Sequence, residues 1–87
     1  MQDSYGVAAF RSRQQVLRFE AALRQRGVPT QVVTTPRDIS MGCGLSVRFP
    51  LERLPEVRRA VAGANPGNLI GLYRADYDGR RLRVSGV

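Results

Sequence analysis

Histidine does not occur in this sequence, and its absence removes whole classes of chemistry before any fold is considered. A Ser-His-Asp triad and a Cys-His pair are both excluded. The chain also has a single cysteine, Cys43, so the usual ligand set of a tetrahedral zinc site cannot be assembled within it. One cysteine makes no internal disulfide, which fits a reducing compartment. Lysine is missing as well: all 14 basic residues are arginines, set against 7 acids. No apolar run approaches the length of a membrane span, and Met1-Gln2-Asp3-Ser4-Tyr5 has neither the basic nor the apolar region of a secretory signal. A cytoplasmic protein outside the membrane is expected. No motif implies a small-molecule cofactor, and there is no internal repeat or low-complexity stretch.

What remains is ordinary in bulk. The chain has 87 residues, 43% hydrophobic and 24% charged, enough for one core and little else. The expectation is a single domain over 1–87, with a core at about 5–74 and a C-terminal hairpin or tail at 75–87. The net charge of +7 suits a polyanionic partner through counterion release. Arginine in place of every lysine, however, reads as a compositional preference of the whole chain. Nucleic acid is therefore the less favoured partner.

Tyr5 to Phe10, Tyr-Gly-Val-Ala-Ala-Phe, is a short apolar run that predicts a central strand buried on both faces. Ser12 is placed to cap a helix in which Val16, Phe19 and Leu23 recur at three- and four-residue spacing, with Gly27 as its stop. Thr30 to Thr34 is β-branched and short, a second strand. Leu45, Val47 and Phe49 alternate with Ser46 and Arg48, as in a strand covered on one face and half open on the other. After Pro50, the spacing of Leu51, Leu54, Val57 and Val61 predicts a second helix. Its regular part starts near Pro55, Leu51 to Leu54 form a looser lead-in, and Gly63 closes it. Leu69 to Arg74 is a further strand, and Asp78-Gly79 turns it back on Leu82 to Val84, with a fraying tail from Ser85.

The order β-α-β-β-α-β is the split βαβ or ferredoxin-like pattern, an α+β fold with an antiparallel sheet and both helices on one face. A right-handed crossover through the first helix puts its N-terminus and the loop after the second strand at the same end of the sheet. That loop reads Thr35-Pro36-Arg37-Asp38-Ile39-Ser40-Met41-Gly42-Cys43-Gly44. Cys43 would then share an edge with Arg11, Ser12 and Arg13. The flanking Gly42 and Gly44 allow a backbone that exposes the sulfur and turns amide N–H groups toward it, and Arg37 supplies a cation. A helix start carries about half a positive charge, so the thiolate is favoured and the Cys43 pKa is expected below that of a free thiol. The competing reading is a small buried hydrophobe, the commonest role of an isolated cysteine. Arg37 has its own plain alternative in pairing with Asp38.

The opening strand and helix from Phe10-Arg11-Ser12 through Leu23 and Gly27, the loop from Thr35-Pro36-Arg37 to Gly42-Cys43-Gly44, and the closing Gly71-Leu72-Tyr73-Arg74 together resemble a small bacterial family of selenium or sulfur carrier-like proteins. The resemblance spans roughly residues 5 to 74. It implies a carrier rather than an enzyme, with Cys43 the one position onto which a persulfide or selenopersulfide role transfers; Arg37, Gly42, Gly44, Arg11, Ser12 and Arg13 are its expected surroundings from the loop and the crossover. It also implies protein partners that donate and accept sulfane sulfur or selenium. Two other readings stand beside it. The face of Ser46 and Arg48 suits an interaction or regulatory domain, including a homodimer. A nucleic-acid module on the same fold is disfavoured, because the third strand lacks the aromatics that RNA-recognition sheets use and only Arg48 and Arg74 are placed to face out.

Overall fold

The computed structural model describes residues 3–36, 39, 44–64 and 69–87. Strand β1 (Asp3–Phe10) is followed by helix α1 (Arg13–Gln25), strands β2 (Gln31–Thr34) and β3 (Leu45–Phe49), helix α2 (Leu54–Ala64), and strands β4 (Leu69–Tyr77) and β5 (Leu82–Gly86). The five strands form one sheet in the order β2-β3-β1-β4-β5, every neighbouring pair antiparallel. The first four strands thus follow the ferredoxin-like order, and β5 adds a hairpin to the β4 edge. The chain is an α+β protein of the expected class.

The small side chains of β1 let it run through the centre of the sheet. Val7, Ala8 and Ala9 have no exposed surface. Ala8 and Phe10 of β1, with Val47 and Phe49 of β3, meet Val16, Phe19 and Leu23 of α1 and Val57 and Ala60 of α2 in one core. Residues of both helices in that cluster place them on the same face. The Phe10 and Phe19 rings are 5.1 Å apart, tilted by 52°.

Helix α1 ends as its sequence demands. Gly27 adopts φ +79°, the Gly27 N–H donates to the Arg24 carbonyl at 3.0 Å, and the Val28 N–H donates to the Leu23 carbonyl at 3.0 Å. This is a Schellman stop, with buried Val28 as its apolar clasp. Pro50 ends β3, and a turn of 3-10 helix at Leu51–Arg53 leads into α2, so Pro55 falls in the first turn, where its missing N–H has no partner to lose.

Three expectations need correction. Gly63 does not close α2, which continues through Ala64; an exposed glycine late in a helix lowers stability without forcing a stop. Strand β4 runs on to Tyr77, because β5 supplies hydrogen-bonding partners beyond Arg74. The tail does not fray at Ser85, since Ser85 and Gly86 pair with Arg74 and Tyr73. No described helix is long and apolar enough to cross a membrane.

Candidate functional site

Because β1 and β2 are each antiparallel to β3, they run parallel to one another and both end where β3 begins. The start of α1 and the base of the 35–44 loop therefore meet at one end of the sheet. A cleft of about 500 Å³ opens there, lined by Arg11, Arg13, Thr34, Gly44 and Leu45. Arg11 is exposed in the turn after β1, Arg13 is the exposed first residue of α1, and Gly44 sits half-buried before β3. Arg11 and Arg13 come from around the start of α1, Thr34 from the end of β2, and Gly44 and Leu45 from the start of β3. Arg37, Gly42 and Cys43 lie outside the described residues.

Ser12 takes the N-cap position in extended geometry, φ −108° and ψ 128°, and its carbonyl accepts the Val16 N–H at 3.1 Å. Its hydroxyl makes no capping bond, contrary to expectation. The first turn of α1 also carries no acidic residue. The N–H groups of that turn, with their share of the helix dipole, thus receive neither a capping hydroxyl nor a carboxylate from their own turn. Among the described residues the ion pairs are Arg24–Glu20, Arg53–Glu56 and Arg74–Asp76, so neither Arg11 nor Arg13 is engaged in one. The described lining of the cleft is consequently electropositive.

The loop base is held by residues that the sequence reading passed over. The Thr35 N–H donates to the Gly44 carbonyl at 3.0 Å, closing the two ends of the loop on each other. Behind that bond, the Thr35 and Ser46 hydroxyls share a hydrogen bond of 2.6 Å, with Thr35 only 5% exposed and Ser46 not at all. Ser46 does lie on the face its alternation predicts, but that position is not open to water. A Cβ at Gly44 would stand 3.1 Å from Thr35 Oγ1, so a larger residue there would require the hydroxyl to give by a few tenths of an ångström. The signal in the sequence was Thr35 before Pro36, a position biased toward extended backbone that continues β2 into the clasp.

Thr35→Val keeps the shape of the side chain and leaves the Ser46 hydroxyl buried without its partner. We expect a loss of about 1–3 kcal/mol in urea unfolding. The double variant with Ser46→Ala should recover part of it, and a double variant as unstable as the two single losses combined would show that the hydroxyls are not coupled.

Residues 5–69 match the family model described as "Putative Se/S carrier protein-like". No curated protein and no solved structure matches the chain.

Proposed function

The chain belongs to the Se/S carrier protein-like family, and we propose that it carries sulfane sulfur or selenium on Cys43, receiving the atom from a donor protein and passing it to an acceptor. What supports this reading is that Thr35 closes onto Gly44 beside Arg11 and Arg13, so that the two ends of the segment containing Cys43 leave the sheet near the start of α1.

The chemistry needs no general base if the thiol is already ionised. The Cys43 thiolate attacks the outer sulfur of a donor cysteine persulfide, a new Cys43 Sγ–S bond forms, the donor S–S bond breaks, and the donor cysteine leaves as thiolate. The transferred atom keeps its proton, and no outside oxidant is needed, because the Cys43 sulfur rises from thiol to persulfide level as the donor cysteine sulfur falls from persulfide to thiolate level. Selenium follows the same course with an S–Se bond. Arg37, the amides beside Gly42 and Gly44, and the α1 dipole favour the anionic form of Cys43, while Arg11 and Arg13 offer an acidic donor or acceptor a complementary rim.

Incubation with a cysteine desulfurase and sulfur-labelled cysteine, read by intact mass, tests the proposal. The wild-type chain should gain the mass of one sulfur, removable by a reductant, and Cys43→Ser should gain none. Equal label on Cys43→Ser would sink the reading.

A further inference from the structure

The helix-free face of the sheet carries planar groups that the carrier chemistry does not use. Across four strands, Gln31, Arg48, Val7 and Tyr73 stand directly opposite one another in a single row. Val7 has no exposed surface, and neither has Ala75. Large side chains therefore lie down over small ones on this face.

Two of them rest against a neighbour. The Arg48 guanidinium carbon sits 3.9 Å from the centroid of the Tyr5 ring, and Arg48 is exposed, so the side of the guanidinium away from the ring is open to a ligand. Tyr73 covers the backbone of Gly71 so closely that a Cβ there would be 2.9 Å from its hydroxyl and 3.1 Å from its ring carbons. A cleft of about 420 Å³ adjoins Arg48, lined also by Tyr5, Gln31 and Ser4.

Charge points to the occupant. Among the described residues the paired carboxylates lie on the helices or on the helix side of the sheet. Glu20 holds Arg24, Glu56 holds Arg53, and Asp76, across from Ser4, holds Arg74. The Ser4 hydroxyl donates to Asp76 at 2.5 Å and Arg74 Nε at 3.0 Å, which together hold the Asp76 carboxyl below its ordinary range. Arg74 is thereby a partner of Asp76 on the helix side, not an outward group. Arg48 has no such partner among the described residues, on a chain of net charge +7.

We propose that this face binds single-stranded nucleic acid, with bases stacking on the free side of Arg48 and on Tyr73. The sequence alone argues against this, because the third strand has no outward-facing aromatic: Phe49 turns into the core. The register answers it: the planes come from β1 and β4, which are neighbours, and a guanidinium serves on β3. Unstacked bases are recognised on aromatic rings and arginine planes, and such stacking tolerates any base. A sheet face presents nothing that enters a duplex groove, so a duplex gains little. A second copy of the chain carries the same net charge of +7, which opposes pairing of two such faces.

The test is fluorescence anisotropy with a short, labelled, mixed-sequence RNA strand at low salt. Binding should weaken as salt rises. Arg48→Gln and Tyr73→Leu should each weaken it about tenfold, whereas Tyr73→Phe, which keeps the ring, and Arg58→Gln on α2 should bind as wild type. Melting curves identify any variant that unfolds, and Tyr73→Phe keeps the stacking claim testable if Tyr73→Leu does. No binding at low salt, an equal loss in Arg58→Gln, equal affinity for the annealed duplex, or a dimer that buries this face would each overturn the proposal. Cys43→Ser should bind RNA as wild type, which separates this site from sulfur carriage.

Discussion

Phe49→Ala should cost about 3–5 kcal/mol of folding stability, the loss expected for emptying a buried aromatic site. Phe49 is 1% exposed, belongs to the cluster that joins both helices to the sheet, and stands directly opposite Gly6 on β1. Its ring occupies the space a side chain at Gly6 would need: a Cβ there would lie 2.2 Å from a ring carbon. Gly6→Ala alone should therefore be strongly destabilising, since a buried ring has little room to swing away. In the Phe49→Ala background the same methyl enters vacated space, so the two changes should couple favourably by about 0.5–3 kcal/mol. A domain of this size is stable by only about 5–13 kcal/mol, so Phe49→Ala should remove a large share of that and lower the urea midpoint by more than about 1 M. A loss below about 1 kcal/mol, or strict additivity with Gly6→Ala, would mean that this pair does not tie β1 to β3.

The parts of the fold legible in the sequence are those written as periodicity. Val16, Phe19 and Leu23 mark the buried stripe of α1, and Leu45, Val47 and Phe49 mark the helix-facing side of β3, because burial on one side imposes a period that any sequence must obey. Gly27 was readable for a local reason, the left-handed angle it adopts. What alternation does not encode is what lies over a face. Ser46 points away from the helices as its position requires, yet Thr35 from eleven residues earlier caps it, a contact set by loop closure rather than by pattern. Arg74 was misplaced for a related reason: its facing depends on the register with Gly6 and on Asp76, neither of which is fixed by the strand's own residues. Gly63 shows the reverse limit, a local signal overridden because α2 was already anchored by Val57 and Ala60.

At the candidate site the sequence supplied the residue types, and topology supplied their meeting. Arg11, Arg13 and Gly44 are remote in the chain, and nothing local says that they line one cleft; the parallel run of β1 and β2 around β3 does. Thr35 escaped notice because a threonine at a strand end is commonplace, and only its bonds to Gly44 and Ser46 give it a role in holding the loop.

The electropositive end of the sheet should act on the single thiol, and the effect is expected to be large because several groups converge there. Each unit by which the Cys43 pKa falls corresponds to about 1.4 kcal/mol of preference for thiolate. A helix start together with one or two guanidiniums is enough to supply it. The sign is definite: a lowered pKa means that the folded chain presents more thiolate than the unfolded chain at neutral pH, and it stabilises the fold only above the folded pKa. Removing Arg11 and Arg13 together should raise the titration midpoint toward that of the unfolded chain without changing the fold, since both side chains are exposed. An unchanged midpoint in that double variant would leave the two arginines to partner recognition alone.

With only one cysteine in the chain, the pH dependence of its alkylation by iodoacetamide reports Cys43 without interference. Measured on the folded protein and on the same chain in guanidinium chloride, the folded midpoint should lie below the unfolded one, with rapid reaction at neutral pH. A folded midpoint equal to or above the unfolded value, or a thiol that reacts only on unfolding, would contradict an ionised, accessible carrier cysteine.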